Sequence, residues 1–238
     1  MSAALLRSAT PPGVCGKLPW LGDFVRRRLD DGFVEPWDGW VRAGLARVRD
    51  DLPDAWLALY LQAPVWRFVL PPGICGRQAA AGVLMASVDR VGRYYPLTIA
   101  ARLDEMPPPP GLASAAADWF ARVEDLALAA LDPDVDPDRW ERALLELEGP
   151  IIADHYARGA GQSLDGGVVA VRLDRPGDLG PAFAALAHRA EPPGTAGPVQ
   201  FWTLPRRGEA GPLPGRFVFA PDLPEPRLWH EILRGGAP

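Results

Sequence analysis

The sequence predicts an α/β protein: a three-layer α/β/α sandwich around one mixed, largely antiparallel sheet. Three observations carry this. Apolar runs of strand length occur in both halves of the chain, around a helical middle. Neither set of strands could bury two faces alone, so both should feed one sheet with helices on either side. Several strand-to-strand links look like hairpins, which points away from a doubly wound parallel order.

Residues 1–12 read as a flexible N-terminal tail, and 13–238 as a single domain. The apolar run 14–18 around Gly16 reads as a first strand, followed by a Pro/Gly loop over 19–23. A helix is expected over 34–50, because Val34, Trp37, Val41, Leu45 and Val48 draw one apolar stripe. Its acidic start and basic later turns complement the helix dipole, and Pro36 suits a first turn, where a missing N–H costs nothing. Residues 66–70 form a strand stopped by Pro71-Pro72-Gly73, and 83–88 and 97–103 form a hairpin. Four consecutive prolines within 106–111 make a stiff spacer and the best internal boundary. Helices follow over 114–131, capped by Ser114, and over 137–148, capped by Asp136 with Pro137 at its first position. The last third reads as strands at 168–173, 199–204 and 216–220, with short helices at 182–189 and 228–233.

The totals narrow the function. The net charge is −5, and the one basic cluster, Arg26, Arg27 and Arg28, is flanked by Asp23, Asp30 and Asp31. A chain with no basic face gains little from phosphate or anionic lipid, so neither nucleic-acid binding nor membrane insertion is expected. No signal peptide or membrane-length apolar run is present, which predicts a cytoplasmic protein. Cys15 and Cys75 form no zinc or CxxC pattern and read as two reduced, buried thiols.

Reactive chemistry is hard to find. His155, His188 and His230 form no metal-binding pair. The run 159–164 lacks the third glycine of a dinucleotide loop and precedes a strand instead of following one. Ser163 misses a nucleophile-elbow spacing by one residue, and a hydrolase built on Ser163 and His155 is disfavoured. No P-loop exists. The expectation is a protein without catalytic residues, cofactor or metal.

Two stretches stand out. In one, Gly16 to Arg28 reads GKLPWLGDFVRRR, continued by FVEPWD over 33–38; in the other, 87–98 reads SVDRVGRYYPLT. Glycine, proline, aromatic rings and paired charges are denser there than a plain core requires. The candidate partner-binding residues are Lys17, Asp23, Asp89, Arg90, Arg93, Tyr94 and Tyr95. A structural role suits them as well. Gly92 can supply a positive φ in a hairpin loop, Asp89 can hold Arg90 or Arg93 in place, and the tyrosines can cover the sheet edge. If they touch a partner, Arg and Tyr are the side chains that dominate such contacts.

On these residues the chain resembles the TagF family. The pattern GKLP..GDFV.RRL, then F..PWD.W, then SVDRVGRYYPLT is long and specific, and WRFVL at 66–70 and FWT at 201–203 fit it too. The resemblance implies a three-layer α/β/α fold and a non-enzymatic, post-translational repressor of type VI secretion assembly. It implies binding to a forkhead-associated (FHA) domain scaffold protein, with any phosphatase of the pathway a separate protein. The rival reading is a longin- or profilin-like structural adaptor for another cytoplasmic partner, which rests on architecture alone.

Overall fold

The computed structural model describes residues 10–103, 116–150, 162–163, 169–173, 199–208 and 211–234. Eleven strands are present among them: β1 (Gly13–Gly16), β2 (Val25–Arg27), β3 (Trp66–Leu70), β4 (Ala79–Met85), β5 (Leu97–Leu103), β6 (Gln162–Ser163), β7 (Val169–Leu173), β8 (Val199–Thr203), β9 (Arg206–Gly208), β10 (Gly211–Leu213) and β11 (Gly215–Ala220). The helices are α1 (Asp31–Asp51), α2 (Trp56–Leu61), α3 (Ala117–Ala129), α4 (Pro137–Glu146) and α5 (Trp229–Arg234), the last preceded by a 3₁₀ turn, Pro226–Leu228.

Nine strands form one sheet in the order β2-β1-β5-β4-β3-β8-β11-β7-β6, and β9 pairs with β10 separately. Every pairing among the described strands is antiparallel. The two halves of the chain meet at β3 and β8, where Phe68 lies opposite Phe201. One sheet fed by both halves, with helices on each side, is thus what the chain builds.

The strands alternate as a two-faced sheet requires. In β3, Trp66, Phe68 and Leu70 join one core and Val69 the other; in β8, Phe201 and Trp202 divide in the same way. The first core gathers Phe33, Trp37, Trp40 and Val41 of α1, Tyr60 of α2, and Trp229, Ile232 and Leu233 of α5. The second gathers Trp119, Phe120 and Val123 of α3 with Trp140 and Leu144 of α4. Trp37 centres the first core, with ring centroids of Phe68, Trp40 and Phe33 at 4.6, 4.9 and 5.7 Å.

Five buried indoles find a partner for their N–H. Trp37 donates to Thr98 Oγ1 at 2.9 Å, Trp40 to the Pro224 carbonyl and Trp66 to that of Ile232, both at 2.7 Å. On the other face Trp119 and Trp140 donate to the Glu148 and Leu126 carbonyls at 2.8 Å. These bonds fasten helix to sheet, helix to helix and chain end to core. Arg67 crosses from β3 to α3, its Nε and Nη2 meeting Glu124 Oε2 at 2.8 and 2.7 Å.

Several boundaries differ from expectation. Helix α1 begins three residues early because Asp30 caps it, accepting from the Phe33 amide at 3.1 Å, so Pro36 falls in the second turn. Strand β4 starts at Ala79 and ends at Met85; the alanines are covered on both sides of the sheet, and burial overrides their weak strand preference. Val88 lies beyond the strand and only bridges Tyr94. Ala116 stands at the N-cap of α3 without a side-chain bond. Asp136 caps α4, with Pro137 in its first turn, as expected. The residues 1–9, the proline spacer, Ser114, His155, His188 and the helix expected over 182–189 lie outside the described residues. Both cysteines are free and buried in the first core; burial pushes each thiol up to about 12.

Candidate interaction site

The topology brings part of the first distinctive stretch and the second to one end of the sheet. Strand β1 runs antiparallel to β5, and β5 to β4. The segment leaving β1 (17–24), the segment from β4 to β5 (86–96) and the start of β2 therefore collect at the same edge. Helix α2, which feeds β3, arrives there too, since Trp66 pairs with Leu84 near the end of β4.

Asp89 organises this end. Its side chain is fully covered. One oxygen accepts from the Arg93 and Val91 amides at 2.9 and 3.0 Å; the other accepts from Arg93 Nε at 2.7 Å and from the Lys17 ammonium. Burial works against the charged form. The Lys17 ammonium, the Arg93 guanidinium and the two amides outweigh it and hold the carboxyl well below the usual carboxylate range. Gly92, at φ +83°, lets the loop fold back on Asp89.

Further bonds lock the two segments together. The Arg90 amide donates to the Leu21 carbonyl at 2.9 Å, and the Arg93 guanidinium donates to the Gly22 carbonyl. Ser87 Oγ donates to the Lys17 carbonyl at 2.8 Å. The Ser87 backbone is held by Tyr60, whose hydroxyl donates to its carbonyl and accepts from its amide at 2.7 and 2.9 Å.

The tyrosines turn inward onto the helical layer. Tyr94 meets Tyr60 and Trp56 edge-on, at 5.9 and 6.0 Å between centroids, and Arg49 lies 4.3 Å over the Trp56 ring. Tyr95 donates its hydroxyl to Asp38, which also pairs with Arg42 at 2.8 Å. Burial first, and that bond second, push the Tyr95 phenol above its ordinary range. Phe24 meets Tyr95 edge-on at 5.4 Å, while Trp20 meets Trp140 on the opposite face at 5.5 Å. The 17–24 segment thus straddles the end of the sheet.

Of the seven candidate residues, Lys17, Asp89 and Arg93 converge on one carboxylate, and Tyr94 and Tyr95 pack into the adjoining aromatic layer. Arg90 and Asp23 are exposed, and their side chains take no part in the network. The sequence leaves open whether Asp89 holds Arg90 or Arg93; it holds Arg93 and Lys17. Four participants were not singled out: Tyr60, Ser87, and the exposed apolar Phe24 and Val91. Ser87 and Val91 lie inside the distinctive second stretch and Phe24 inside the first. Tyr60 had no local signal, because its partner is 27 residues away. Ser163 stands in the two-residue strand β6. Among the described residues, no three His, Cys, Asp or Glu side chains are grouped to hold a metal, and no helix is long and apolar enough to cross a membrane.

What the fold and this end of the molecule define is an α/β/α protein whose charged and aromatic loop residues brace one another into a rigid outer face. Residues 13–147 match the TagF N-terminal domain family, described as type VI secretion system-associated, and the chain belongs to that family. It is also similar to the crystal structure of PA0076 from Pseudomonas aeruginosa PAO1, with 34% sequence identity, 95% of this chain and 96% of that chain covered, and a TM-score of 0.68. No curated protein sequence matches the chain.

Proposed function

We propose that this type VI secretion-associated protein is a post-translational regulator that binds a component of the secretion machinery and holds back its assembly, without turnover. The partner we assign is the FHA-domain scaffold protein of the same system, with any phosphatase of the pathway a separate chain. The observation that carries the reading is the braced pair of loops around Asp89. Its polar groups are spent on each other, which suits a preformed docking face better than a reaction centre.

The test is retention of the scaffold from a lysate of the same organism, using the chain as bait. Wild type is expected to retain it, and the Arg93→Ala, Tyr94→Ala double variant to retain at least tenfold less. Retention of no secretion component by wild type would sink the reading and leave the adaptor alternative. Broad ester, phosphoester and peptide substrate panels are expected to stay silent.

A further inference from the structure

The bracing around Asp89 leaves a few side chains over. Val91, at the tip of the 86–96 loop, is 63% exposed, and Phe24 is 38% exposed although its edge touches Tyr95. Arg90 makes no ion pair among the described residues, and its guanidinium lies over Gly22, with Nη2 3.7 Å from where a Cβ on that glycine would stand. Arg93 keeps 57% of its side chain in water despite its bonds to Asp89 and Gly22. Val91 and Phe24 thus leave apolar surface in solvent, beside two exposed guanidiniums, on loops that the rest of the network makes stiff. The Val91 amide is bonded to Asp89 Oδ1, and the Gly92 amide to the Asp89 carbonyl at 3.0 Å, so the tip is presented in one shape.

The charge around the tip is also particular. Lys17 and Asp89 cancel, and Arg90 and Arg93 outnumber the remaining carboxylate, Asp23, on a chain whose net charge is −5. A preformed apolar tip set between two guanidiniums has a defined complement: an apolar recess bordered by carboxylates, which Arg can grip in a planar, bidentate way. Two cations beside an aspartate are too few for an anionic membrane or a nucleic-acid backbone to outweigh such a recess. We propose that Val91 and Phe24 enter an apolar recess on the protein partner while Arg90 and Arg93 pair with acidic side chains at its rim. This rests on the binding function proposed above and assigns it a face and a chemistry.

The experiment measures the affinity of the purified chain for the purified FHA-domain scaffold of the same organism by titration calorimetry, at low and at moderate salt. The Arg90→Glu, Val91→Asp double variant should keep the wild-type melting temperature, since both side chains are exposed, and bind at least tenfold more weakly. Val91→Ser, which changes no charge, should lose several-fold and guards against a folding artefact in the double variant. Leu128→Glu, at an exposed apolar site on α3, should bind like wild type. Wild-type affinity should fall with salt, and less so for the double variant. If the double variant and Val91→Ser bind like wild type, the assignment of this face is wrong while the binding function stands. Loss of affinity in Leu128→Glu equal to that in the double variant would overturn it as well. So would binding to phosphatidylserine vesicles that the same double variant abolishes while scaffold affinity is unchanged. If wild type itself does not bind the scaffold, the proposed function falls, and this inference with it.

Discussion

Asp89 accepts four hydrogen bonds, two from amides of its own loop and two from cations. Its carboxyl is held below the usual range, so its contribution to stability is fully present above the pKa of the unfolded chain and is lost as the pH falls towards the folded value. Asp89→Asn is therefore expected to lower the melting temperature at neutral pH. The gap to wild type should narrow as the pH drops below about 4, where an ordinary aspartate takes up its proton. A gap unchanged across that range would count against the charged network. Two glycines give a graded comparison. Gly92 has φ +83° and open space around it, so Gly92→Ala should cost about 1–2 kcal/mol from conformation alone, and Gly92→Asn less. Gly16 has φ +122°, and a Cβ there would run into the Pro96 carbonyl; Gly16→Ala should cost more than about 3 kcal/mol in denaturant titration. The importance of the 87–98 segment was legible from its dense glycine, charge and tyrosine content. The pairing of Lys17 with Asp89 was not, because 72 residues separate them and only the strand order brings them together.

At the scale of elements, two contacts show how the helices are held, one against the sheet and one against another helix. Arg67 is almost wholly buried on β3 and its partner Glu124 is 24% exposed on α3. Glu124→Gln strands a buried guanidinium and should destabilise by about 3 kcal/mol, whereas Arg67→Met with Glu124→Leu should recover most of that loss in the same denaturation experiment. Gly44 of α1 lies under the indole of Trp229, which occupies the space a Cβ would need. Alanine would gain about 1 kcal/mol of helix propensity, but overpacking against a fully buried ring costs about 1–3 kcal/mol. Gly44→Ala is thus expected to destabilise on balance, and hydrogen exchange should show α5 loosening first. Elements with hard stops were read well from sequence: β3 ends at Pro71, β5 follows Pro96, and α4 opens on Asp136-Pro137. Those without stops were not. The alanines of β4 carry little preference of their own, α2 is only six residues long, and β2 is three residues long with two arginines in it.

Across the whole molecule, the sheet lies between two aromatic cores and covers both thiols from one side. With Cys15 and Cys75 buried and each pushed up to about 12, neither is a reactive thiolate near neutral pH. A thiol-specific dye at pH 8 should label both together, at the rate of global opening, and ligand-free native protein should label slowly. Fast labelling of one cysteine alone would show a local breach of the α1 layer. The family match ends at residue 147, yet the strand lying against β3 begins at Val199. A version of this chain cut at that limit would forfeit Phe201 from beneath Trp37 and Trp40 and Trp202 from beneath Phe120, and would leave β3 as a bare edge of unpaired amides and carbonyls. The boundary recorded by shared ancestry and the boundary set by cooperativity are therefore different lines, and an excised 13–147 piece should come out of cells as an aggregate.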